Sequence, residues 1–175
     1  MYSRIGLTLG AIAIAALPAL AQNNKPTDAQ IAHIAYTAGV LDVEAGKQAL
    51  AISKNPQVRA FAEQMVKDHT AVNDQALALV KKLKVTPEDN PTSKSLTEQA
   101  KAKRAELAKL SGAAFDKAYI ANEIAFHKTV NGALETTLIP SASNAELKSL
   151  LQTGLKLFQG HQQHAEQTAK TVSTN

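Results

Sequence analysis

The sequence predicts an all-α chain: a four-helix bundle with a long, partly helical crossover between its second and third long helices. Three observations carry that reading. Apolar residues recur in steps of three and four over four long segments, helix-capping residues precede those segments, and proline-containing breaks separate them.

The first 21 of the 175 residues stand apart from this pattern. Arg4 is followed by an apolar run from Ile5 to Leu20, with Ala19 and Ala21 in an A-x-A arrangement before Gln22, the layout of a secretory signal peptide. Gly6, Gly10 and Pro18 interrupt that run, and it stops short of the ~20 residues that a spanning helix needs. Residues 1–21 are therefore expected to be a cleaved leader and 22–175 one domain. That domain would be exported to the periplasm or outer envelope, with no transmembrane span after cleavage.

The helices follow in order. The first opens at a capping box, Thr27-x-x-Gln30, and carries Ile31, Ile34, Ala35, Ala38, Leu41, Ala45, Ala49 and Ile52 on one stripe. Asn55-Pro56 ends it and begins the second, with Asn55 as N-cap and proline at the first helical position, where a missing N–H costs nothing. The second shows Val58, Ala62, Met65, His69, Val72, Ala76, Leu79 and Leu83, an apolar seam with one histidine in it. Residues 84–94, KVTPEDNPTSK, read as a loop, and a shorter polar helix is expected from the capping box Ser95-x-x-Glu98 to Leu110, stopped by Ser111-Gly112. The third long helix runs from about Ala113 to Ile139, where Pro140 ends it; the fourth starts at Ser143-x-x-Glu146.

Loop lengths constrain the topology. The turns at Asn55 and after Pro140 are short, so each pair of helices should form an antiparallel hairpin. Residues 84–110 can travel the length of the bundle and make the second and third long helices parallel, the single crossover of ferritin-like folds; a fifth helix packed on an up-down bundle is the alternative.

Composition excludes more than it identifies. With no cysteine, the chain has no disulfides, thiol nucleophile, iron–sulfur cluster or Cys-ligated zinc, so any metal must use His, Asp and Glu. Its 19 basic residues, one of them in the leader, stand against 15 acidic ones. Lys101, Lys103, Arg104 and Lys109 alternate with Glu98 and Glu106 as on a solvated helix face, so nucleic acid is not expected as a partner. An envelope protein or an anionic membrane surface remains a candidate partner. No phosphate loop, nucleophile elbow or His-Glu-x-x-His string occurs.

Histidines stand where leucines would be expected. His69, His127 and His161 each interrupt an apolar seam on a separate helix, and His164 lies one turn beyond His161. Glu44, at the margin of the first stripe, completes a set with one ligand-type residue per long helix, at a height similar to that of His69 when counted from the first turn. The second hairpin fits less well: His127 lies about 13 residues before Pro140 and His161 about 21 after it, and Glu123 levels better with His161. Asp68, Asp116 and Tyr119 stand close enough in sequence to accept the second ring N–H of a ligand histidine. The plain alternative for each histidine is a core imidazole satisfied by a neighbour.

Three strings, EAGKQALAISKNPQVRAFAEQMVKDHT (44–70), LSGAAFDKAYIANEIAFHKTV (110–130) and LFQGHQQHA (157–165), resemble the domain-of-unknown-function 4142 family of exported bacterial proteins. The matching positions are Glu44, Asp68-His69, Phe115-Asp116 with Tyr119, His127 and His161. The resemblance implies a ferritin-like bundle in the periplasm or outer envelope, in a family often labelled outer membrane proteins, and brings no biochemical activity with it. Ferritin-like di-iron sites use paired Glu-x-x-His motifs. Here Asp68-His69, Glu123-x-x-x-His127 and His161-x-x-His164 replace them, a histidine-rich set that suits Zn, Cu or Ni better than a di-iron centre, with Fe still within its range.

Two functions are compatible with these residues, the first expected and the second its alternative. One is a non-catalytic binding or envelope-stress module with structural histidines. The other is a transition-metal-binding bundle using Glu44, His69, His127 and His161, with His164 or Glu123, for metal buffering or redox protection. An enzyme is the less expected outcome.

Overall fold

The computed structural model describes residues 25–173; the proposed leader lies outside them. Every regular element among the described residues is helical: α1 (Asp28–Ile52), α2 (Pro56–Leu83), α3 (Pro91–Leu107), α4 (Gly112–Ala133), a π-helical turn (Leu134–Leu138), α5 (Ile139–Ser141) and α6 (Ala145–Ser173). None of these helices is long and apolar enough to cross a membrane.

Local chemistry sets the helix boundaries. Thr27 and Gln30 make the reciprocal capping box at the start of α1, and Asn55 Oδ1 accepts the N–H groups of Gln57 and Val58 at the start of α2. Lys84, in the left-handed conformation, stops α2.

Two expected starts move. α3 begins four residues before Ser95, because Asn90 caps it in a box with Ser93 and Pro91 takes the first helical position. α6 is capped by Asn144, whose Oδ1 accepts from Glu146 and Leu147, while Ser143 donates its own N–H to Asp28. Pro140 does not end its helix outright. It lacks the N–H that Thr136 would receive, and the ladder widens ahead of it, with Ile139 N–H reaching back to Leu134 O.

The bundle's two ends are identified by contacts between elements. At the lower end the α1–α2 turn meets the start of α4, where Ser53 donates to Asp116. At the upper end Asp28, at the start of α1, accepts the N–H groups of Ser143 and Asn144 just before α6. α3 is the crossover: its start is tied to the upper end by Glu88 N–H to Ala29 O, and near its end Arg104 O accepts from Gln48. α3 therefore descends beside α1, α2 and α4 both ascend, and α6 descends.

Two apolar cores fill this frame. The lower holds Val58, Phe61, Met65, Phe115, Tyr119 and Ile120; the upper holds Ile31, Ile34, Leu134, Leu138, Leu147 and Leu151. Between them lies a buried polar layer of Asp42, His69, Glu123, His127 and His161.

Candidate metal centre

Each of the four long helices sends at least one side chain into this layer. His69 comes from α2, His127 from α4 and His161 from α6, and one ring nitrogen of each lies within 4.8 Å of the others. Ring centroids are 5.2 Å (His69–His161), 5.5 Å (His127–His161) and 5.6 Å (His69–His127) apart. The Phe158 ring stacks on His69 at 4.6 Å and limits its rotation.

The carboxylate from α1 is Asp42 rather than Glu44. Asp42 Oδ2 lies 3.5 Å from His69 Nε2 and 3.6 Å from His127 Nε2, with its side chain fully buried. Glu44 stays out of the layer because it is two residues on, roughly 200° around the helix. Its side chain is 43% exposed and pairs with Arg104 of the crossover. Asp42 was detectable in the sequence: it continues the stripe Ala38, Ala45, Ala49 at steps of four, three and four, all buried positions.

The mismatch expected between His127 and His161 disappears for a geometric reason. Residues 142–144 are loop and add little rise, so His127 lies 14 residues before the end of α5 and His161 16 after the start of α6. At 1.5 Å per residue the two differ by only ~3 Å in height.

The neighbours fix which ring nitrogens face inward. His127 donates Nδ1–H to the Glu123 backbone carbonyl (3.0 Å), which turns its Nε2 lone pair toward Asp42. His161 donates Nε2–H to Asp68 Oδ2 (3.0 Å), which leaves Nδ1 as the inward acceptor. A carbonyl or carboxylate on the outer nitrogen is the arrangement that orients a metal-ligating imidazole.

The other sequence candidates lie around or outside the layer. Glu123 is fully buried beside it, with Oε2 3.8 Å from His127 Nδ1. His164 does not join: its Nδ1 lies 2.8 Å from Gln64 Oε1 and its ring edge meets Phe61 in the lower core. Asp116 accepts from Ser53 at the lower turn rather than from a histidine. Tyr119 stacks on Phe115, and its hydroxyl meets no hydrogen-bond partner among the described residues.

Burial governs the electrostatics. It pushes the Asp42 carboxyl up to about 8 and holds Glu123 well above the usual carboxylate range, the latter helped by the charge of Asp42. It also lowers His69 well below its ordinary value, with His127 and His161 adding to the effect. His127 is lowered to about 4 by burial, against the opposing hydrogen bond to Glu123, and His161 is lowered by burial against the pull of Asp68. Neutral imidazoles are the ligand-competent form.

The donor set fits a transition metal. Both ring nitrogens of His69, both oxygens of Asp42, Nε2 of His127 and Nδ1 of His161 are buried with no hydrogen-bond partner among the described residues. So many unmet polar atoms in one layer are costly in a folded core. Two ligands about 2.1 Å from one tetrahedral ion stand ~3.4 Å apart, close to the two Asp42–histidine separations and too long for a good hydrogen bond. Three imidazoles and one carboxylate suit Zn, Cu, Ni or Fe.

No curated protein and no solved structure matches the chain. A family model does, over residues 14–168, and that span includes every helix as far as Thr168. The chain belongs to that family, DUF4142, a domain of unknown function.

Proposed function

We propose that the protein is a transition-metal-binding helical bundle in which His69, His127 and His161, with Asp42, hold one divalent ion. The observation that carries the reading is three imidazole nitrogens from three helices within 4.8 Å of one another, with a buried carboxylate from a fourth lying 3.5 Å and 3.6 Å from two of them. Asp68 and the Glu123 carbonyl support it by orienting two of the rings. The ion would supply positive charge that keeps Asp42 ionised in a dry layer. This ligand set suits metal buffering or redox protection, and the single crossover through α3 is the connection that ferritin-like folds use. The signal-peptide pattern of residues 1–21 supports an exported, periplasmic or outer-envelope location.

The test is metal content and thermal midpoint of the purified protein without a histidine tag, with and without chelator. About one bound equivalent and a midpoint lowered by the chelator support the reading; no bound metal and no shift overturn it. The same outcome would favour a binding module whose histidines are structural.

A further inference from the structure

Above the polar layer the bundle encloses a cavity of about 410 Å³. Its floor includes Asp42, His69 and His127, and its upper end reaches Pro26, Asn90 and Pro91. Along α1 the lining runs from Gln30 to Asp42, 12 residues or ~18 Å of rise. The space exists because small residues line it on every long helix: Ala35 and Ala38 from α1, Ala76 from α2, Ala133 from α4 and Gly154 from α6. Leucines and phenylalanines complete an apolar wall. Its volume lies in the range of small-molecule sites and well above the ~150 Å³ of an apolar void that stays dry and takes up benzene.

Polar side chains line the cavity at both ends, but its one carboxylate, Asp42, lies at the floor. Its upper rim offers uncharged groups such as Gln30, Asn90 and Thr92, whereas its floor is the metal layer. A long apolar molecule would find its one charge partner at the bottom. We propose that this cavity binds one long-chain fatty acid, its tail lying along the small-residue walls and its carboxylate adding a fifth ligand to the ion held by His69, His127, His161 and Asp42. The inference rests on the metal reading for the carboxylate contact. The tail site rests on the cavity alone. His161 does not line the cavity, so the ligand approaches the ion from the Asp42–His69–His127 side.

The test is a titration of the tag-free protein with cis-parinaric acid, a fluorescent fatty acid, with and without one equivalent of Zn²⁺. Displacement by palmitic acid and by the matching alcohol follows. The expected result is saturable binding of one probe per chain, tightened about tenfold or more by Zn²⁺ for the acid and unchanged for the alcohol. Ala38→Leu and Ala76→Leu, which fill the cavity away from the metal ligands, should each weaken the probe about tenfold while Zn²⁺ uptake persists. Circular dichroism confirms that each variant folds, and the two sites guard against the failure of one.

Probe binding unchanged in both folded variants overturns the proposal, as does saturable binding with no difference between acid and alcohol in zinc-loaded protein. If Zn²⁺ does not bind at all, the metal reading and the carboxylate contact fall together. The tail site is then decided by the probe and the two variants: loss of binding in them supports it, and unchanged binding overturns it.

Discussion

Asp42 and His69 face each other across the α1–α2 interface with 3.5 Å between a carboxylate oxygen and Nε2, both side chains buried. That spacing is loose for a hydrogen bond and suited to two ligands of one ion. Asp42→Asn is therefore expected to weaken Zn²⁺ binding by at least about 100-fold, since the one inward carboxylate from α1 is lost. Metal-free stability should hold or rise, because a buried titratable group has been removed. Glu44→Gln should leave Zn²⁺ affinity unchanged and cost at most about 1 kcal/mol, because the Glu44–Arg104 pair is partly exposed. A chelator-competition titration separates the two variants; equal loss in both would contradict the assignment.

His69→Leu distinguishes packing from ligation. His69 lies between Met65 and the upper core, stacked on Phe158, and neither of its ring nitrogens is hydrogen-bonded among the described residues. Leucine should keep or raise the metal-free melting temperature while weakening Zn²⁺ binding by at least about 100-fold. A marked fall in metal-free stability, with uptake retained, would assign the histidine to packing.

Asp68→Asn probes ring orientation. The Asp68 carboxylate fixes His161 with Nε2–H outward. Its amide can present a donor instead, which favours the wrong tautomer, so Zn²⁺ affinity should fall about 10- to 100-fold with little change in the fold. Isothermal titration of the variant beside the native protein reads this directly.

The pH dependence has a defined sign. Asp42 is raised from 3.8 to about 8, so the folded metal-free protein keeps a proton that the unfolded chain gives up. Its contribution is complete below pH 3.8 and is lost as pH rises through about 8. His127 acts in the opposite sense: with its value lowered from 6.5 to about 4, its contribution is present above pH 6.5 and lost as pH falls through about 4. The two slopes oppose each other in acid; from pH 6.5 to 8 that of Asp42 remains, joined by Glu123, whose carboxyl is also raised by burial. Metal-free stability should decline there, while Zn²⁺ affinity rises and binding near pH 7 releases about one proton from Asp42. Calorimetry in buffers of different ionisation enthalpy counts that proton; zero release or net uptake would contradict the scheme.

The caps give a check on the fold itself. Asn144→Ala should destabilise by about 1 kcal/mol, because its side chain accepts two N–H groups at the start of α6, whereas Ser143→Ala should change little, since only its backbone is engaged. Urea unfolding of the two variants measures the difference.

Much of the architecture was legible in the sequence because it depends on local chemistry. Thr27 and Asn55 announce α1 and α2, and the length of residues 84–110 made a crossover feasible. The three seam histidines were visible because a polar residue at an apolar position breaks the period. The carboxylate was harder: Asp42 sits within the buried stripe and Glu44 at its edge, and counting heights along a hairpin does not resolve a 200° difference in direction. A height counted from Pro140 to His161 also includes the loop at 142–144, which adds little rise. Ser143-x-x-Glu146 spells a capping box more fully than Asn144 does, yet Asn144 is the cap. The tertiary contact of Ser143 with Asp28, 115 residues away, decides this.

The central claim is that one ion sits among three imidazoles and a carboxylate. X-ray absorption at the zinc edge of the loaded, tag-free protein addresses it most directly. The account expects a first shell at about 2.0–2.1 Å with scattering from three imidazole rings and one oxygen ligand, reduced to two rings in His127→Leu. A shell of oxygens alone, or the same spectrum in His127→Leu as in the native protein, would contradict it.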